Sequence, residues 1–288
     1  MAKFWATCLV VFLSLTAFCQ SNAVYPDLLS AYFYNMASIH VGYIPTNGTA
    51  DFAVGYKFHE GQLKKVNTLS FAGAKVFRSN KGNAQAIRVL GYNEQNGPYI
   101  SSPKGYLNYA YEVKLGEESH LFAGIALGAA GIYFSAPTFS GSTWMPDGSL
   151  GVGFRFRTLS AGASTLQMFN SGSSQLGDTY RLGRFYHFYA AVEQELGLDW
   201  KCNGYALWRK LGSSGDDLGA ALSITAREVF TLGTSLRYKA GMSFFTAFHI
   251  DAGENKLLLS LNYNAAPIFT SLPTWQNSFE ISVGYTLE

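Results

Sequence analysis

Five histidines, His40, His59, His120, His187 and His249, are the side chains of this 288-residue chain best suited to acid–base chemistry. A hydrolase would need a nucleophile and a base on adjoining elements. His187 and His249 fall inside predicted strands, on the polar face, and no spacing sets a serine beside either. There is no Gly-x-Ser-x-Gly elbow. No His/Cys/Asp/Glu grouping has zinc spacing, and the acidic stretch Asp251-Ala252-Gly253-Glu254-Asn255 lacks the spacing of a calcium loop and reads as a turn. Asn47-Gly48-Thr49 matches the glycosylation sequon, a pattern short enough to arise by chance. The histidines are therefore expected to be structural. No enzymatic activity, catalytic residue, cofactor or metal is expected.

Composition excludes other classes. The chain is 48% hydrophobic and 16% aromatic but only 14% charged, with 30 Gly, 18 Tyr and 22 Phe. A soluble domain carries about 25% charged residues. The formal net charge of +2 supplies no basic field for nucleic acid. Such a composition suits many short strands with an aromatic outer surface.

The N-terminus reads as a leader over residues 1–23. Lys3 supplies a positive start, and Cys8 to Phe18 is apolar, long enough for a signal core and too short to span a bilayer. Cleavage is expected after Cys19 or after Ala23. Either removes Cys8 and Cys19 and leaves Cys202 as the only thiol, so no intramolecular disulfide is expected despite export. No later stretch is long and apolar enough for a membrane helix; Leu121 to Phe134, with three glycines, reads better as a strand.

The rest alternates with period 2, as strands must when one face meets lipid and the other a polar lumen. Phe279, Ile281, Val283, Tyr285 and Leu287 share one face, opposite Ser278, Glu280, Ser282, Gly284 and Thr286. Phe52, Val54 and Tyr56 alternate with Ala53, Gly55 and Lys57, and Leu107, Tyr109 and Tyr111 with Asn108, Ala110 and Glu112. The whole chain gives about fourteen strands: 50–58, 66–78, 85–93, 104–115, 119–134, 148–158, 160–169, 184–196, 199–210, 216–226, 228–239, 241–250, 256–265 and 276–287. The expected architecture is all-β, a transmembrane antiparallel barrel over residues 49–288. A soluble β-sandwich is the competing architecture; the leader, the even strand count and strand lengths near ten favour the barrel.

Connection lengths support this. Long outer connections are expected near 94–103, 135–147, 170–183 and 266–275, and short periplasmic turns at residues 116–118, 158–159, 197–198 and 226–227. On the polar face, Arg155, Arg157, Glu193, Glu195, Arg237 and Glu280 read as a salt-bridged interior or as a conduit. Their mixed signs argue against a strongly ion-selective pore. Residues 24–48 are aromatic yet poorly alternating. They are expected either to tuck into the barrel as a plug, to dock on its periplasmic side, or to add a terminal strand.

Several of these stretches resemble the PorP/SprF family of type IX secretion and gliding proteins of Bacteroidetes. Tyr34-Asn35-Met36-Ala37 followed by Gly42 resembles the family's opening Asn-Pro-Ala…Gly motif, with Met36 in place of Pro. Ala72-Gly73-Ala74-Lys75-Val76-Phe77 and Lys81-Gly82 resemble its Gly-rich strand and hairpin. Tyr109-Ala110-Tyr111 leading to Leu121-Phe122-Ala123-Gly124, and Leu182-Gly183-Arg184-Phe185-Tyr186, follow in family order. Ser278-Phe279-Glu280-Ile281, running to Tyr285 and Leu287, resembles the closing strand. An Arg-x-Gln-Trp element near the first strand is missing, Gly55-Tyr56-Lys57 standing there.

The resemblance implies an outer-membrane barrel without catalytic residues. It implies association with periplasmic ring lipoproteins of the type IX machine, or retention of large secreted adhesins. Tyr34, Asn35, Met36, Ala37, Gly42 and Glu280 are its motif or interaction residues. Phe279, Tyr285 and Leu287 are expected to form the signal read during barrel assembly. The expected location is the outer membrane, with its lipids as partners and no nucleic acid. The rival functions are a passive porin or hydrophobic-solute channel and an outer-membrane lipid hydrolase.

Overall fold

The computed structural model describes residues 23–24, 29–30, 32–174, 180–212, 215–238, 241–265 and 277–288. The expected leader through residue 22, the Lys239-Ala240 connection and the expected loop 266–275 lie outside the described residues.

Fourteen antiparallel strands close into one barrel. They are β1 (Ala50–His59), β2 (Val66–Arg78), β3 (Ala84–Asn96), β4 (Ile100–Lys114), β5 (Ser119–Ala136), β6 (Phe139–Phe156), β7 (Leu159–Leu166), β8 (Phe185–Glu195), β9 (Trp200–Lys210), β10 (Asp216–Ala226), β11 (Phe230–Arg237), β12 (Gly241–Ala252), β13 (Asn255–Ala265) and β14 (Ser278–Leu287). Neighbours in sequence are neighbours in space, and β14 returns to β1, pairing from Ser278↔His59 to Leu287↔Ala50. Closure leaves no sheet edge, so the backbone polar groups at membrane depth are paired strand to strand.

The alternation sorts residues as the lipid environment requires. Leu107, Val152, Val54 and Ile281 face outward and are 40–61% exposed. Their in-between neighbours Asn108, Ala110, Glu112 and Glu280 point inward and are buried. In a barrel, an apolar side chain exposed in this way rests on hydrocarbon, and a buried charge belongs to the lumen.

Two expected outer loops are instead continuations of strands. Residues 94–103 contain only a three-residue turn, opened by Gly97 at φ 83°. Residues 135–147 contain only the turn at 137–138, so β5 and β6 each run 18 residues. A span needs about 9–11 residues, so this hairpin projects well past the bilayer. Above the membrane both faces are wet, so hydrophobic alternation fades while backbone pairing continues. Pro103 and Pro146 also argue against strand there. Pro103 falls where the β4–β5 bridges lapse between Ser101 and Lys104. Pro146 lies beyond the last β6–β7 pair, Leu150↔Thr165. The expected loop 170–183 holds two short strands, Gly172–Ser173 and Tyr180–Leu182. With Ala23–Val24 they form a separate three-stranded sheet.

At the opposite end the turns are short, as expected, and both Ala50 and Leu287 lie there. Gly48 starts the entry to β1 at φ 77°, and a Cβ there would meet Thr286 Cγ2 at 2.5 Å. The sequon Asn47-Gly48-Thr49 is thus a tight turn. Arg157, expected on a strand, sits in the β6–β7 turn with φ 52° and pairs with Glu118.

An arginine on the lipid face at mid-depth costs about 2–4 kcal/mol. Ile281→Arg is expected to cut the yield of heat-modifiable barrel in outer membranes severely. Thr286→Arg, inward at the open mouth 3.4 Å from Asp51 Oδ1, is expected to leave the yield near wild type. Equal yields would show that the faces are assigned the wrong way round.

Candidate functional site

The lumen holds the chain's own N-terminal residues. Residues 29–30 and 32–48 run along the barrel axis as irregular backbone with one 3-10 segment, Tyr32–Ser38, interrupted at Asn35 (φ −136°, ψ 69°). Its aromatic content, unexplained by any strand period, is explained by what it touches. Tyr32, Phe33, Met36 and Ile39 form one apolar cluster with the inward-facing Phe122, Tyr189, Leu207, Ala221 and Phe245. Phe33 stacks on Tyr205 at 5.0 Å and meets Phe245 at 4.7 Å. Ile44 packs on Val76, Ala84, Ala86 and Ala110 nearer the short-turn end. Burying each large apolar side chain contributes about 1.5–3 kcal/mol, and each aromatic pair about 0.5–1.5 kcal/mol more.

Irregular backbone has no internal ladder, so its polar groups need outside partners. Side chains of the wall provide them. His187 Nδ1 donates to Ile39 O at 3.0 Å, and Asn108 Nδ2 to Val41 O at 2.8 Å. Arg88 donates to Tyr43 O and Arg155 to Ile44 O, both at 3.0 Å. Arg78 donates to Pro45 O at 2.7 Å. In the other sense, Ser30 N–H donates to both carboxylate oxygens of Glu280 at 2.9 Å. Glu280 also accepts from Asn264 at 3.1 Å and lies 3.8 Å from Lys57 Nζ. These contacts address main-chain atoms, so they fix where the segment runs more than which side chains it carries.

Three glycines make the closest approach. Gly124, Gly151 and Gly162 face inward on β5, β6 and β7, and His40-Val41-Gly42 sits against them. A Cβ on Gly124 would lie 2.3 Å from Val41 O and 2.7 Å from Gly42 Cα. One on Gly162 would lie 2.7 Å from His40 Nε2. A Cβ on Gly42 would meet Ala123 C at 2.9 Å. His40 is wholly buried, donates from Nε2 to Val152 O at 2.9 Å, and presents its ring edgewise to Phe122 and Tyr189.

The remaining lumen charges come in partnered groups. Lys104 meets Glu94 at 2.5 Å. Arg155 and His120 converge on Glu112 at 3.2 and 3.1 Å. Arg209 and Arg237 share Asp217 at 3.1 and 2.6 Å. Tyr106 donates to Asp147 at 2.7 Å. Sequence reading named Arg155, Arg237 and Glu280 but passed over Arg88, Lys104, Arg209, Glu94, Asp147 and Asp217. Each sits at an inward position of its strand, so the period-2 phase contained the missing signal. Glu193 pairs with Lys201 at 2.5 Å in the open mouth, and Glu195 is exposed beside it.

The structure brings together Met36 and Ala37 in the buried 3-10 segment, Gly42 in the glycine seat, and Glu280 against Ser30. Tyr34 is partly buried on Phe245, 6.0 Å between ring centres, and Asn35 O accepts from Ser38 Oγ at 2.7 Å. Phe279, Tyr285 and Leu287 lie apart from these, on the outward face of β14. His187 has both ring nitrogens engaged, since Arg209 Nε donates to Nε2 at 3.1 Å. His249 Nε2 lies 2.9 Å from Thr231 Oγ1, and Thr231 in turn 2.8 Å from Thr225 Oγ1. Among the described residues no group of three or more His, Cys, Asp or Glu could hold a metal, and no helix is long and apolar enough to cross a membrane.

Among the described residues, open space lies on both sides of the segment. Cavities of 420 and 250 Å³ flank residues 33–47 at the short-turn end; the first is lined by Phe33, Tyr43, Arg155, Glu193 and Tyr205, the second by Tyr34, Asp51, Arg88 and Lys256. On the other side of the 3-10 segment, a pocket between Leu29, Tyr92, Tyr106 and Phe185 measures only 70 Å³.

A closed fourteen-strand barrel with a hydrocarbon-facing exterior and a polar, charge-paired interior is an outer-membrane β-barrel. Solved structures agree at the level of fold. The CymD monoaromatic hydrocarbon channel aligns with a TM-score of 0.56 at 11% identity, over 85% of this chain and 89% of its own. The Ralstonia pickettii toluene transporter TbuX aligns at 0.54 and 8%, over 84% and 90%. A Pseudomonas aeruginosa FadL homologue aligns at 0.53 and 7%, over 83% and 90%. No curated protein sequence matches significantly. Residues 21–285 match the family described as type IX secretion system membrane protein PorP/SprF, and the chain belongs to that family.

Because Gly124 lies against Gly42, Gly124→Val is expected to unseat the N-terminal segment while the strands still pair. Purified Gly124→Val should conduct in planar bilayers at least tenfold more than wild type. Gly105→Ala, where an added Cβ has nothing within 4 Å, should leave conductance unchanged. A Gly124→Val barrel as tight as wild type would show that this contact does not hold the segment.

Proposed function

We propose that this barrel is a non-conducting, non-enzymatic component of the type IX secretion apparatus, serving as an outer-membrane anchor for exported surface proteins. The observation that carries this is the occupied lumen. Apolar packing and at least six hydrogen bonds to its main chain hold the segment along the barrel axis, where a solute would have to pass. A barrel filled in this way is suited to present its two ends to other proteins. The mouth formed by the short turns, with its cavities and mixed charges, is the face available to periplasmic ring lipoproteins. The projecting β5–β6 hairpin is the face available to a secreted adhesin.

Deleting the gene should abolish surface display of a defined set of type IX substrates and their retention on cells. Re-expression of the full-length protein should restore both. Unchanged secretion and attachment in the deletion strain would reject the reading.

A passive channel is the second reading. Its support is the shared fold with the hydrocarbon and toluene transporters and the pocket at Leu29, Tyr92 and Phe185. Liposomes carrying the wild-type protein should show no uptake of a monoaromatic solute above that of protein-free liposomes. Saturable uptake would favour the channel.

A further inference from the structure

We infer that the chain is threaded through its own barrel, entering from the cell-surface end and leaving at the periplasmic end. The lumen segment is then a strut pinned at both ends, not a lid hinged at one.

Three levels along the axis give the direction. At the short-turn end, Thr49 N–H donates to Leu287 O at 2.6 Å, and Arg78 holds Pro45 O and Gly48 O. In mid-barrel, His40-Val41-Gly42 sits in the glycine seat. Further along, Ser30 N–H is held by Glu280, seven residues before Leu287 in the direction of the other end. Beyond it, Ala23 and Val24 pair in parallel with Arg181 and Leu182. Those two residues belong to the long connection between β7 and β8, which opens at the far end from Leu287. The same connection is anchored to the projecting strand β6: Ser171 Oγ donates to Pro146 O and Thr143 Oγ1 to Ser173 Oγ, at 2.5 and 2.8 Å. The outer end of the segment is therefore tied to the barrel's tallest element. A lid hinged near residue 48 would need its far end free in the lumen. Here the far end is the edge strand of a folded sheet.

The arrangement has a functional corollary that does not depend on the secretion role. Unseating His40-Val41-Gly42 loosens the strut in mid-barrel, and withdrawing it from the lumen requires breaking the sheet at Ala23–Val24 as well.

The test is disulfide trapping in full-length protein carrying Cys202→Ser. Cα atoms of paired strand neighbours are close enough for a disulfide. Val24→Cys with Leu182→Cys, oxidised in outer membranes, should give a disulfide-linked peptide by mass spectrometry in most of the heat-modifiable population. Val24→Cys with Glu118→Cys, in a periplasmic turn, should give none. A link to residue 118, or no link to residue 182 in folded barrel, overturns threading. If the buried Leu182→Cys variant does not fold, Val24→Cys with Tyr180→Cys, two residues away on the same face of that strand, reads the same sheet with the same outcomes when joined by a short bis-maleimide. A trapped barrel, in a background where the gene deletion leaves secretion and attachment unchanged, would uphold threading while rejecting the secretion role, so the two failures are separable.

Discussion

Every peptide group placed at membrane depth must find a partner within the protein, and this requirement organises the molecule twice. The wall meets it by pairing each strand with two others until β14 closes on β1. The lumen segment cannot meet it that way, because Tyr32–Ser38 makes only a short, kinked helix and residues 39–48 make none. Its carbonyls are met by Asn108, Arg88, Arg155 and His187, and its Ser30 amide by Glu280. The polar interior is thus a set of partners for one particular path of backbone. The charges it does not spend on the segment neutralise one another, as in Lys104–Glu94 and the Arg209–Asp217–Arg237 group. Isolated charges would be far costlier in so dry a space.

The wall was legible in the sequence because lipid imposes a strict period. Ile281 and Glu280 differ by one position and by everything in environment, and a slip of one residue would exchange them. All fourteen strands therefore stand within a few residues of their expected places wherever hydrocarbon touches them. Legibility stops where hydrocarbon stops. The outer half of β6, with Ser140, Thr143 and Pro146, carries no such period and reads as loop although it is paired. The lumen segment was legible only as an anomaly, aromatic and without alternation. Its course depends on distant partners: Gly42 meets Gly124 and Ser30 meets Glu280, 250 residues apart in sequence. One sequence cannot show pairings of that kind.

Family membership and shape bear on different questions. The fold is shared with hydrocarbon channels at about a tenth of residues identical, a level at which contents of the lumen are free to differ. The interior is built around the chain's own N-terminal segment. Glycines on three successive strands deepen one side of the wall so that His40 and Val41 can lie flat against it, and aromatic rings from β8, β9 and β12 fill the other side. Among the described residues, the result has residual space on both sides of the segment.

Among the described residues the tall β5–β6 hairpin stands beside β7, which spans just eight residues. Between those strands the outer rim drops by a step. Anything resting on the rim would tilt across that step and acquire a fixed azimuth in the plane of the membrane.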